Sequence, residues 1–211
     1  RNVDLHWYVP LVVYTDGAEV LAHDLRTDEL TTLFAAVEGE RIAEINLHDR
    51  DTETTWLSII TSRSDIFALE LAFEDGVHIV GELLRSSQIE PNVNLMFNDT
   101  DLSTWWLPDE PALMFSGQVI SDDERVPNIY LFDTQQHDIR QITHLTQRAL
   151  NAHLHPSRLS PDREWLAVST FDGFMVQHME DAALSYRWTF DDNRFSDVQR
   201  AYMGYWVAHP E

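Results

Sequence analysis

The sequence predicts an all-β protein built from repeated units of about four strands. Short apolar or aromatic runs alternate with turn-forming residues, and few stretches have the 3.6-residue period of a helix. A strand pair also recurs at a fixed spacing. Residues 11–14 and 20–25 match residues 57–60 and 66–71, and the offset is 57 − 11 = 46 positions. A fixed period of this length is typical of a fold made of stacked repeats.

The strand pair occurs four times along the chain. The copies are residues 11–14 with 20–25, 57–60 with 66–71, 112–115 with 129–133, and 166–169 with 175–178. Each second strand leads through a polar turn into a further strand, at residues 30–34, 77–84, 139–143 and 184–190. A connecting strand, such as residues 42–47, completes about four strands per repeat.

Four strands every 40 to 50 residues or so is the pattern of a β-propeller blade. We therefore expect a single propeller domain over residues 1–211, with four-stranded antiparallel blades near residues 8–47, 54–97, 105–152 and 160–207. The chain has seven glycines for these many turns. Asp, Asn and Ser are expected to form many of the tight turns instead.

Two segments carry a resemblance to a known family. Residues 128–143, NIYLFDTQQHDIRQIT, and residues 160–169, SPDREWLAVS, resemble the TolB-type, WD-repeat-like propeller repeat. Arg163 stands where that family usually has Gly, so the type of this turn is left open. The resemblance implies a propeller fold more strongly than a function, because such propellers serve as protein-binding platforms, peptidase gates and lyases.

The blade number has two interpretations. Residues 202–207 could pair with residues 5–9 and close a four-bladed ring, or the chain could be part of a larger propeller. We favour the larger propeller, because members of the resembled family commonly have six or more blades and Arg1 looks like an interior starting point.

The charge inventory excludes several classes of function. There are 36 acidic and 14 basic residues, for a net charge of −22, and all 14 basic residues are arginine. Without lysine or cysteine there is no Schiff-base chemistry, thiol nucleophile or disulfide framework. The negative charge argues against nucleic acid as a partner and favours a basic protein. No apolar run is long enough to span a bilayer.

His153 and His155 are the candidate metal ligands. Side chains two residues apart on a strand point to the same face, so both imidazoles could bind one ion. Residues 153–162, HLHPSRLSPD, also resemble a run in oligogalacturonate-lyase-type propellers, which implies a metal held by axial histidines. The alternative is that these histidines line a blade edge and hydrogen-bond to the backbone, and we favour it.

Other residues are candidates for binding. Trp105 and Trp106, beside Leu107 and Pro108, are expected to be exposed in a loop and to form a binding hot spot or sugar platform. The acidic insertion at residues 118–127 contains three consecutive acids that could contribute to a calcium site or attract a cationic partner, although solvated turns fit them better. These three acids are Asp122, Asp123 and Glu124.

We therefore expect a non-catalytic propeller that binds another protein outside the cytoplasm, in the periplasm or secreted. No residues are assigned a catalytic role, and no cofactor is expected. The alternative is a metal-dependent polysaccharide lyase or glycosidase that uses a divalent metal at His153 and His155.

Overall fold

The computed structural model describes ten parts of the chain. They are residues 3–6, 9–48, 53–74, 76–95, 104–108, 110–120, 126, 128–145, 156–170 and 173–189. These residues form strands and one short helix. Among them, no helix is long and apolar enough to cross a membrane.

Four antiparallel sheets follow one another along the chain, each a meander of four consecutive strands. Sheet 1 contains β1 (Val3–Leu5), β2 (Leu11–Thr15), β3 (Glu19–Asp24) and β4 (Glu29–Ala35). Sheet 2 contains β5 (Ile42–His48), β6 (Thr54–Thr61), β7 (Ile66–Ala72) and β8 (His78–Arg85), and helix α1 (Ser86–Ile89) follows it. Sheet 3 contains β10 (Thr104–Trp106), β11 (Ala112–Val119), β12 (Asn128–Asp133) and β13 (Asp138–Gln141), with β9 (Val93–Leu95) also paired to β11. Sheet 4 contains β14 (Pro156–Leu159), β15 (Trp165–Thr170), β16 (Gly173–His178) and β17 (Ser185–Thr189).

This architecture confirms the prediction of an all-β fold with four-stranded propeller blades. The first strands of sheets 1, 2 and 3 are neighbours, and so are the last strands of sheets 1 and 2. The first strands of sheets 1 to 3 therefore lie on a shared inner side, and the last strands of sheets 1 and 2 lie on an outer rim. Strand β5, which the sequence pattern attached to the first repeat, is the inner strand of sheet 2.

Apolar clusters join each sheet to the next. The first lies between sheets 1 and 2 and includes Val13, Val20, Ile45, Leu57 and Leu69. The second lies between sheets 2 and 3 and includes Ile60, Ile66, Leu113, Phe115 and Phe132. The third lies between sheets 3 and 4 and includes Met114, Ile129, Leu131, Leu166 and Val168. Each fully buried Leu or Ile side chain contributes about 1.5–3 kcal/mol to folding.

The two middle sheets differ from sheet 1 in their burial pattern. In sheets 2 and 3, alternate residues enter different clusters, so both faces are covered and the central strands read as near-continuous apolar runs. In sheet 1, buried and half-buried residues alternate along β3. This is the pattern of a sheet with only one fully covered face.

Two arginines donate to carbonyls at matching positions of the next sheet. Arg26 of sheet 1 donates from Nη2 to the carbonyl of Phe73, directly after β7, at 3.3 Å. Arg140 of sheet 3 donates from Nη1 to the carbonyl of Met179, directly after β16, at 3.0 Å. Each guanidinium thus satisfies a carbonyl at the end of the third strand of the next sheet.

Among the described residues, each sheet has one non-glycine residue with a left-handed backbone. These residues are Asp28 (φ 59°), Ser64 (φ 65°), His137 (φ 53°) and Arg163 (φ 64°). Arg163 therefore keeps the conformation that Gly would adopt, and the turn of residues 160–165 is closed by Trp165 N–H donating to Ser160 Oγ at 3.0 Å. The expectation that Asp and Ser replace glycine in tight turns holds at Asp28 and Ser64.

Replacing His137 by glycine should stabilise the protein. A left-handed backbone costs a residue with a Cβ about 1–2 kcal/mol, and this exceeds the roughly 0.5–1 kcal/mol of chain entropy that glycine loses on folding. We expect His137→Gly to raise the free energy of unfolding in urea by about 0.5 kcal/mol or more. The neighbouring Gln136→Gly, at an exposed position without positive φ, should lower it. An equal loss of stability in both variants would contradict the prediction that the left-handed backbone of His137 is strained.

Candidate interaction surface

Several candidate residues lie outside the described part of the chain. His153 and His155, the predicted metal ligands, are among them, and so are Asp122, Asp123 and Glu124 of the acidic insertion. Their roles stay predictions. Among the residues that the structure describes, no group of three or more His, Asp or Glu side chains is placed to hold a metal ion.

The Trp105–Trp106 pair lies on strand β10, not in a loop. Trp106 pairs with Leu113 of β11 and is 5% exposed, and its Nε1 donates to the carbonyl of Asn46 at 3.0 Å. The expected exposure is therefore wrong for Trp106, because strand alternation turns it into the core between sheets 2 and 3. Trp105 faces the other way and packs, half-buried, against the core between sheets 3 and 4. Its role in binding stays a prediction.

A buried polar cluster joins the inner strands of sheets 2 and 3, and sequence reasoning did not identify it. Asn46 Nδ2 donates to the carbonyl of Thr104 at 3.3 Å, and His48 Nε2 lies 2.7 Å from the carbonyl of Leu107. Glu44 Oε1 accepts from Thr104 Oγ1 at 3.5 Å. Inner strands of neighbouring blades share no backbone ladder, so side chains pair these carbonyls and hold the two sheets in register.

The sequence did contain a signal for this cluster. In residues 44–48, EINLH, polar side chains alternate with Ile45 and Leu47 at a period of two. Such alternation is typical of a strand with one polar face. Here the polar face is buried against sheet 3, and Ile45 and Leu47 enter the core shared with sheet 1.

Two buried carboxylates are held by arginine. Asp24 accepts from Arg26 Nε at 3.0 Å and Nη2 at 2.7 Å, and these hydrogen bonds lower the pKa of Asp24. Burial opposes ionisation of Asp65, but hydrogen bonds from Arg85, Ser87 and Ser86 outweigh it and lower the pKa of Asp65. Both carboxylates serve structure: the first fastens a turn, and the second ties the β6–β7 turn to the start of α1.

His6 is a buried histidine beside the core of sheets 1 and 2. Its Nδ1 accepts a hydrogen bond from the backbone N–H of Val9 at 3.1 Å, and its ring meets the edge of Phe73 at 5.2 Å between centroids. Burial lowers the pKa of His6 below its usual 6.5, because the charged imidazolium loses its hydration.

The strongest candidate for contact with another molecule is strand β8 at the outer rim. Among the described strands, β8 pairs only with β7, so one backbone edge faces outward. Three large apolar side chains of this strand are exposed: Ile79 by 41%, Val80 by 36% and Leu83 by 40%. Gly81, with φ 74°, lies where the register with β7 shifts, and this bulge includes Leu83.

One comparison with a solved structure supports the propeller fold, and two others are weaker. The WD40 domain of SCAP from fission yeast superimposes with a TM-score of 0.53 and 11% identity, covering 89% of this chain and 41% of that one. The allergen Mala s 1 of Malassezia sympodialis has a TM-score of 0.45 and 7% identity, with coverages of 88% and 61%. An oligogalacturonate lyase in complex with manganese has a TM-score of 0.37 and 13% identity, with coverages of 92% and 65%.

Of these three similarities, only the one to the WD40 domain has a TM-score above 0.5, and at 11% identity it shows the fold and no function. No protein-family model matches the sequence, and no curated protein is significantly similar to it. The matched part of this chain spans 41% of the length of the WD40 domain chain.

The buried His6 should make stability depend on pH. The unfolded chain binds a proton at this ring more readily than the folded chain does, so the contribution of His6 is full above pH 6.5 and is lost as the pH falls towards its lowered folded pKa. We expect the free energy of unfolding in urea to fall between about pH 7 and pH 5. In His6→Asn the slope over this range should be smaller. An unchanged slope would mean that another group controls it.

Proposed function

We propose that this chain is a non-catalytic β-propeller that binds a partner protein through strand β8 of sheet 2. The observation that supports this proposal is the exposed apolar set Ile79, Val80 and Leu83 on a strand that pairs with only β7 among the described strands. A free edge presents backbone N–H and C=O groups to another strand, and exposed apolar side chains supply the contact area.

The proposed partner presents an extended segment that adds a strand to sheet 2. In this binding mode, main-chain hydrogen bonds supply affinity and alternate side chains supply specificity. The bulge at Gly81 limits regular pairing along β8, so the segment pairs with the part of the strand on one side of it. Leu83, within the bulge, is left to contact a side chain of the partner.

The partner is expected to be basic. The chain carries a net charge of −22, and the exposed Glu82 lies between the apolar side chains of β8. A segment that alternates apolar residues with Lys or Arg would complement both the apolar side chains and the acidic charge of this strand. Its association rate should fall as salt is added, because screening weakens long-range attraction.

Selection from a phage-displayed library of random peptides tests this function. We expect the enriched peptides to alternate apolar and basic residues and to lack proline in the paired segment. Affinities of the synthesised peptides are then measured by fluorescence anisotropy. The variant Ile79→Asp should weaken binding by about tenfold or more, because it places a charge in the apolar contact.

The matched control is Val37→Asp, which adds the same charge at a residue that is 61% exposed in the β4–β5 connection. This control also shows how much of the loss comes from the added negative charge itself and not from its place on β8. Binding that falls equally in both variants would argue against β8, and a library without enrichment would argue against recognition of extended segments.

A further inference from the structure

The face of sheet 1 that points away from sheet 2 is mostly apolar. Val3 is 54% exposed, Leu5 is 56% exposed and Leu30 is 55% exposed. Val12, Tyr14 and Leu21, on the central strands β2 and β3, are half-buried and lie on the same face, which also carries the polar side chains of His23 and Thr32. A sheet face intended for water has polar side chains at these alternate positions. We call these six apolar residues the outward face of sheet 1.

Sheet 4, the last of the four sheets, has a matching face. Leu166, Val168 and Met175 pack towards sheet 3, so the alternate residues of the same strands point away from it. They include Trp165, Val176, His178 and, on or beside β17, Leu184 and Tyr186. We call Trp165, Val176, Leu184 and Tyr186 the outward face of sheet 4. Leu184 is 41% exposed and Tyr186 is 54% exposed.

We propose that two copies of the chain pack head to tail, with the outward face of sheet 4 of each copy on the outward face of sheet 1 of the other. Within one copy, the three contacts between sheets all join a sheet to the next one by apolar faces. The contact between copies repeats this arrangement. A two-fold axis repeats it twice and closes a ring of eight sheets.

The net charge of the chain predicts how this dimer responds to salt. Each copy carries a net charge of −22, so the copies repel one another at low salt. Salt screens this repulsion and leaves the apolar contact, so the dimer should strengthen as salt rises. This dependence is opposite to that expected for the basic partner of β8.

Sedimentation equilibrium of the full chain at increasing sodium chloride tests the proposal. We expect a monomer–dimer equilibrium whose dissociation constant falls with salt. Leu5→Glu should raise this constant by about tenfold or more, because it buries an unpaired charge at the contact, and Tyr186→Glu should do the same from the other face. The matched control is Ile120→Glu at the end of β11, where Ile120 is also 56% exposed. A monomer at all salt concentrations, or an equal loss in the control, would overturn the proposal.

Cross-linking tests the orientation, because the chain has no native cysteine. The double variant Leu5→Cys/Tyr186→Cys should form a covalent dimer with a short bis-maleimide. Leu5→Cys alone and Tyr186→Cys alone should give monomers. Dimers from Leu5→Cys alone would instead show that two copies of sheet 1 face one another, which contradicts head-to-tail packing.

Discussion

Face-to-face packing of apolar sheets is the interaction on which the rest of this structure depends. A four-stranded meander buries little of its own surface, so each sheet is stable only when a neighbour covers it. Sheets 2 and 3 are covered on both sides, which is why residues such as Leu57 and Phe132 are fully buried. Sheets 1 and 4 each have one face turned away from the described sheets. That face carries apolar side chains, as the faces in contact between sheets do.

This packing leaves some backbone N–H and C=O groups without a ladder partner, and polar side chains of the neighbouring sheet hydrogen-bond to them. Neighbouring sheets meet by their faces, so their edge strands find no ladder partner in one another. Asp4 accepts from the backbone N–H of Leu47 at 3.0 Å, and the arginines reach carbonyls across two of the sheet contacts. Each of these bonds offsets the cost of burying a backbone group, and together they fix how one sheet sits on the next.

The fold was largely predictable, because a strand pair that occurs four times, with an offset of 46 positions between its first two copies, reports a repeated structure directly. Turn chemistry was also readable at Asp28 and Ser64. The candidate site was less predictable. Trp105 and Trp106 look alike in the sequence, yet one is buried between sheets 2 and 3 and the other is half-buried towards sheet 4. The exposure of β8 has no local signal either, since its apolar side chains resemble those of the buried β7.

The sequence by itself determined the strand content, the period and the positions of the turns, because these depend on alternation and on backbone preferences within a few residues. The tertiary structure decided which side of each strand meets a neighbour. It placed Asn46 and His48 inside a sheet contact and left Leu5 and Leu83 on the surface. Burial of a side chain depends on residues far away in the chain, so alternation alone identifies two faces of a sheet without stating which of them is covered.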